Sequence, residues 1–376
     1  MQAHSSPILR VHRPFDLGAI DAVGFDLDHT LAIYDDAAVN EIAASAARGL
    51  LVERLSYPRA ILNPADSMET PPAARTLAAD LTHGAVIKLG ADRRVLHARH
   101  ARRWLEPGEI ETRFAGTLDD RAGGIYSVYS PFELPVLWLL EELEAAAPLT
   151  GARGSRCEDI RRMLDAAHTG GLLKNRLRED LPRFVAASPG LAVALGRWVS
   201  AGKRLFVVTN SEPDFAAGVL ERVIGTSWPD LFDVVVASAR KPGFFEAPAA
   251  SQGAGEMRRT GHALVMEGGS AATLEEMLGL RSGRVLFVGD NVRSDIRSAR
   301  AHGWHTAHVA PELAFDDRTV ADEWGAPLTH GGRPTWLAQL LREADIACDG
   351  VMRLLAIDPE TPLVRREDNP AGAETP

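Results

Sequence analysis

Four apolar runs of strand length in this chain each stop at polar residues able to do chemistry, and this repeated punctuation restricts the fold more than any other feature. Ala22-Val23-Gly24-Phe25 stops at Asp26-Leu27-Asp28. Arg204-Leu-Phe-Val-Val-Thr-Asn210 stops at Thr209 and Asn210, Phe232 to Ala237 stops just before Arg240-Lys241, and Arg284 to Gly289 stops at Asp290. Continuous apolar runs bounded by turn signals fit strands buried on both faces. Helical segments lie between the last three, giving a βαβα pattern with a parallel sheet. The first run belongs to the same sheet. In open sheets of this kind, ligands bind outside the carboxyl ends of the strands.

Asp26 and Asp28 lie two residues apart, so a continuing strand projects both to one side. Two like charges this close resist ionising together unless a cation joins them. A hard divalent ion with oxygen ligands, Mg²⁺ above all, relieves that conflict. The alternative is a polar turn in which Asp28 or Thr30 caps a helix.

Between the first two runs, Ala37 to Leu55 has apolar residues at helical spacing and closes at Tyr57-Pro58. Residues 60 to 80 read as irregular. His83 to His97 alternates apolar and polar around a Gly90-Ala91-Asp92 turn, as a hairpin does. Pro131 to Ala147 reads as helix, and residues 156 to 200 as two or three more. The expected fold class is thus α/β, a Rossmann-like parallel-sheet core with a large, mainly helical inserted cap domain. The expected boundaries are 16–58 for the first part of the core, 59–185 for most of the cap and 186–345 for the rest of the core. From Ile357 onward, the Pro, Glu, Asp and Arg content predicts a disordered tail, 357–376.

The formal charge of −10 and the lack of a Lys/Arg-rich block argue against a general nucleic-acid surface, so an anionic substrate needs a local positive site. Cys157 and Cys348 have no metal-ligand spacing and read as packed thiols. Met1 to Ile20 lacks the apolar core of a signal peptide, and no run reaches membrane length. The expectation is a cytoplasmic enzyme that does not engage membranes.

The strand ends carry polar groups able to converge on one phosphate. Thr209-Asn210-Ser211 offers hydroxyls and backbone amides suited to phosphoryl oxygens, or Asn210 or Ser211 simply caps a helix. Lys241, followed by Pro242, supplies a fixed cation beside a rigid turn. In Gly289-Asp290-Asn291-Val292-Arg293-Ser294-Asp295, Asp290 is placed to ligate the metal. Asp295 is either an acid behind the metal ligands or a helix-start residue.

The ordered set Asp-x-Asp-x-Thr, strand-end Thr, Lys and Gly-Asp-x-x-x-x-Asp resembles the haloacid dehalogenase-like superfamily. Within it, longer stretches are similar to the cytosolic purine 5′-nucleotidase family. They are Gly24-Phe-Asp-Leu-Asp-His-Thr-Leu-Ala-Ile-Tyr34, Glu53-Arg-Leu followed by Tyr57-Pro58, and Ala239-Arg-Lys-Pro-Gly-Phe-Phe245, then Gly268-Gly-Ser270, Gly303-Trp304 and Pro311-Glu-Leu313. The resemblance runs from about residue 16 to 345.

That resemblance implies a Mg²⁺-dependent phosphohydrolase that removes the 5′-phosphate of nucleoside monophosphates, purines such as IMP and GMP, through an aspartyl-phosphate. Asp26 is the implied nucleophile and Asp28 the general acid and then base. Asp26, the Asp28 backbone carbonyl and Asp290 are the implied metal ligands, while Lys241, Thr209 and the Asn210 amide hold phosphoryl oxygens. Asp28 also separates this chain from dehalogenases, which lack the second acid. His29 points away from the metal. Trp104 lies near the place where relatives stack an aromatic on the base, or is an ordinary core or surface tryptophan. Asp119, Asp120 and Arg121 either read base edges or form a loop. The resemblance further implies possible phosphate transfer to another nucleoside and a possible homo-oligomer. The competing readings are a phosphatase for another small phosphomonoester, such as a sugar phosphate or a specialised-pathway nucleotide, and a non-catalytic nucleotide-binding protein.

Overall fold

The computed structural model describes residues 8–63, 71, 73–116, 118, 124–146, 153–169, 171–248, 255–315, 320 and 322–364. The chain divides into two compact units, one of residues 1–34, 185–314 and 340–376, the other of residues 35–184 and 315–339.

The first unit is built on a nine-stranded sheet. Its order is Leu9–Val11, Ile346–Cys348, His305–Val309, Val285–Gly289, Ala22–Phe25, Arg204–Val208, Val234–Ala237, Ala263–Glu267 and Met257–Thr260. All neighbours pair in parallel except the two edge strands, which run antiparallel. The α/β class with a mostly parallel sheet is therefore as expected. Ala22–Phe25 occupies the middle, with Phe25 level with Val207 on one side and Val288 on the other.

Gly24 makes that central placement possible. A Cβ there would lie 2.2 Å from the Phe206 ring and 2.8 Å from Phe287, so two phenylalanines meet over a position with no side chain. Phe206, Phe287, Phe245 and Trp304 then interlock edge to face or tilted. Each buried aromatic of this kind contributes about 1.5–3 kcal/mol of burial.

The strands that the apolar runs do not announce are explained by where they lie. Met257–Thr260 is an exposed edge strand carrying Arg258 and Arg259, and charged edges discourage pairing with other chains. Residues 357–364, read as part of a disordered tail, are ordered because Pro362–Leu363 pairs with Phe15–Asp16. The rest of that tail, 365–376, lies outside the described residues.

The second unit combines helices with a five-stranded antiparallel sheet in the order Arg103–Trp104, Val95–His100, Ala85–Leu89, Leu77–Asp80 and Ile125–Ser127. The hairpin expected around Gly90 is its centre. Leu77–Asp80 falls in the stretch read as irregular because Leu-Ala-Ala-Asp carries no alternation, being buried along its whole length. The unit thus adds a sheet that the reading as mainly helical did not include.

Asp36–Leu55 is capped by Asp35, whose side chain accepts from the Ala38 amide, and its buried face includes Val39, Ala43, Ala47, Leu50 and Leu51. Read from sequence as core, it clusters with the second unit. Arg48 on this helix is buried and donates to both oxygens of Glu142, at 3.0 and 2.8 Å. Among the described residues, no helix is long and apolar enough to cross a membrane.

Candidate active site

Asp26 follows directly on the central strand, and its amide donates to the Val288 carbonyl, so the sheet register continues one residue past the strand. The chain then turns sharply. The amides of Leu31 and Ala32 both donate to the Leu27 carbonyl, at 3.0 and 2.9 Å, and His29 takes the left-handed conformation at φ 59° that the turn requires. Asp26 is thereby buried while Asp28 stays half-buried at the rim.

Four charged groups meet at this end of the sheet. One carboxylate oxygen from each of Asp26, Asp290 and Asp295 lies within 4.8 Å of the other two, and all three residues are buried. Lys241 Nζ stands 2.7 Å from Asp26 Oδ1 and 2.7 Å from Asp295 Oδ1. Burial pushes the Asp26 carboxyl up to about 7, with Lys241 opposing the rise and Asp295 and Asp28 adding to it. Burial also works against the Lys241 charge, but Asp26 and Asp295 outweigh it and hold the ammonium above the ordinary lysine value.

With all three acids ionised, three carboxylates against one ammonium leave an excess of two negative charges, and the clustered donors are all oxygens. A hard divalent cation fits both facts.

Local sequence fixes each partner. The Asn210 side chain accepts from the Lys241 amide at 2.7 Å and donates to the Lys241 carbonyl at 3.3 Å, tying one strand end to the next. Asn210 is therefore a brace for Lys241. Thr209 Oγ1, fully buried, accepts from the Ser211 amide at 3.0 Å. Ser211 Oγ donates to Asp28 Oδ2 at 2.9 Å, and Tyr34 Oη donates to Asp28 Oδ1 at 2.5 Å.

Asp290 directly follows its strand, and the buried His308 imidazole sits 2.9 Å from its carbonyl oxygen. Asp295 does not start the following helix. Asn291 does, accepting from the amides of Arg293 and Ser294, while Asp295 accepts from the Asn291 amide and faces Lys241. Gly289 makes room for that carboxylate, since a Cβ on it would lie 2.5 Å from Asp295 Cβ and 2.6 Å from Oδ2.

Asp26, Asp28, Thr209, Asn210, Ser211, Lys241, Asp290 and Asp295 thus form one connected set. Trp104 belongs to the second unit, where it stacks on His97 at 4.2 Å, meets Trp324 edge-on and donates from Nε1 to Glu323. One of its faces is already covered. Asp119, Asp120 and Arg121 lie outside the described residues. His29 is not among the three clustered acids and lies against the Tyr34 ring.

Tyr34, Asn291 and His308 were not singled out from sequence. Asn291 carried a signal in its place at the head of a helix, whereas Tyr34 and His308 had none that local pattern supplies.

Residues 10–362 match the family model described as the 5′ nucleotidase family. The chain is 27% identical to the rat 5′-nucleotidase domain-containing protein 2 over 333 residues, 82% of this chain and 60% of that protein. It is 27% identical to the human 5′-nucleotidase domain-containing protein 1 over 365 residues, 85% of this chain and 78% of that protein. The chain thus spans 60% of the length of the rat protein. Among solved structures, a haloacid dehalogenase-like family protein from Streptococcus pneumoniae aligns with TM-score 0.37 and 13% identity, covering 90% of this chain and 98% of that one. A haloacid dehalogenase-like hydrolase from Xanthomonas campestris aligns with TM-score 0.33 and 16% identity, covering 81% and 88%.

Proposed function

We propose that this chain, which belongs to the 5′ nucleotidase family, is a Mg²⁺-dependent phosphomonoesterase that removes the 5′-phosphate of nucleoside monophosphates, purines preferred. The observation that carries this reading is the buried cluster of Asp26, Lys241, Asp290 and Asp295 with Asp28 held at its rim.

In this account Asp26 attacks phosphorus, the bond from phosphorus to the ester oxygen breaks, and Asp28 delivers a proton to the leaving oxygen. Asp28 then takes a proton from the water that attacks the aspartyl-phosphate, releasing inorganic phosphate and restoring Asp26. Splitting the reaction this way replaces one difficult displacement with two easier ones. General acid–base assistance adds about 10²- to 10⁴-fold, which matters because a sugar alkoxide leaves poorly. Lys241, the Thr209 hydroxyl and the Asn210 backbone amide hold the phosphoryl oxygens.

Asp26, Asp290 and the Asp28 backbone carbonyl would hold Mg²⁺, with Asp295 behind them anchoring Lys241. When bound, the ion supplies neutralisation between the carboxylate nucleophile and the phosphate dianion.

The test is phosphate release from IMP, GMP, AMP, CMP, UMP and sugar phosphates with Mg²⁺, with Asp26→Asn as the blank. Purine-selective release supports the full reading. Release only from sugar phosphates overturns the substrate while keeping the chemistry, and no release from any of them favours a non-catalytic binder.

A further inference from the structure

We infer that Tyr34 is a positioning residue for the reaction, acting through Asp28 to aim its carboxyl group at the leaving oxygen. This rests on the acid–base role proposed for Asp28. Each carboxylate oxygen of Asp28 accepts one hydroxyl, Oδ1 from Tyr34 at 2.5 Å and Oδ2 from Ser211 at 2.9 Å. The two donors come from chain segments far apart in sequence, so together they fix the carboxylate plane from both ends.

Tyr34 is itself firmly placed. Its ring is buried, its backbone bridges to Val185, and the neighbouring Ile33 carbonyl accepts from the Ala186 amide at 2.9 Å. The tight turn over Leu27 to Ala32 brings the chain back so that a residue six positions on reaches Asp28.

A hydroxyl suits a group that must be acid in one step and base in the next. It donates to the carboxylate, and by rotating it accepts from the carboxylic acid. A backbone N–H or ammonium donor in the same place would serve only the ionised form. A buried tyrosine that merely needs a hydrogen-bond partner would not show the kinetic signature that follows.

The experiment is a double-mutant cycle on kcat/KM, which reports events up to leaving-group departure. Tyr34→Phe, Asp28→Asn and the double variant are compared on p-nitrophenyl phosphate and on the alkyl phosphomonoester with the highest kcat/KM. Nitrophenolate leaves without a proton, whereas an alkoxide requires one. Tyr34→Phe is expected to lower kcat/KM for the alkyl ester roughly tenfold more than for the aryl ester, part of the about 10²- to 10⁴-fold that acid–base assistance supplies. In the Asp28→Asn background it is expected to have no further effect, because residues acting as a unit are not additive.

Equal losses on both esters, or a full further loss in the Asp28→Asn background, would overturn the inference and leave the Asp28 role intact. If Asp28→Asn itself lowers kcat/KM equally for both esters, the acid–base reading falls, and the inference with it.

Discussion

The ammonium of Lys241 stands 2.7 Å from a carboxylate oxygen of Asp295, a residue with no exposed surface. The same ammonium reaches the proposed nucleophile at 2.7 Å, so Asp295 holds Lys241 where the proposed mechanism brings the phosphate. Replacing the lysine leaves buried acids facing one another. Lys241→Met is expected to lose about 3–5 kcal/mol of folding stability, the usual cost of stripping one partner from a buried ion pair. Urea unfolding checks this, and Asp295→Asn in the same chain should restore part of the loss, since it removes one of the uncompensated charges.

Gly289 should not tolerate a methyl group. The Cβ of Gly289→Ala would fall 2.5 Å from Asp295 Cβ, with no flexible end to move aside. The expected cost is about 1–3 kcal/mol of stability from overpacking. Turnover should fall by more than the stability loss explains, because displacing Asp295 releases Lys241. Comparing urea midpoints with kcat/KM separates the two effects.

A divalent ion should bind the folded protein and not the unfolded chain. Chelation is then expected to abolish phosphate release, and Mg²⁺ at 100 times its Kd to raise stability by about 2.7 kcal/mol. Asp290→Asn should weaken both responses. A thermal-shift titration reads this without any substrate.

Stability toward acid should depend on Asp345. Burial alone would raise its carboxyl, but hydrogen bonds from His305, Arg13 and the Thr306 amide outweigh burial and hold it down at about 2, against an ordinary 3.8. Because the folded value lies below the unfolded one, the stabilisation is present above about pH 4 and is lost as pH falls toward 2. It amounts to about 2 kcal/mol. Asp345→Asn should therefore be less stable at pH 7 by about that amount, and its unfolding midpoint should change less than the parent's between pH 4 and pH 2.

Much of the core was legible because the chemistry sits at the ends of apolar runs. Asp26, Thr209 and Asp290 are each fixed by one strand, and a strand that is buried on both faces announces itself. Lys241 was harder, being recognisable only by its place in order, since what holds it is Asn210 from another strand end. Tyr34 was unreadable as a partner of Asp28 because the turn at His29, not any periodicity, decides where residue 34 returns. In the second unit, Leu77–Asp80 and the buried Arg48–Glu142 pair hid for a related reason. Their environment is set by segments distant in sequence, which no local pattern encodes.

The most direct test of the account is to find the covalent intermediate. Enzyme turning over p-nitrophenyl phosphate with Mg²⁺ is quenched in acid and its peptides are analysed by mass spectrometry. The account predicts a phosphoryl group on Asp26, accumulating in Asp28→Asn, where the base for its hydrolysis is gone, and missing from Asp26→Asn. Turnover with no phosphorylated aspartate, or with the phosphate on any other residue, would contradict it.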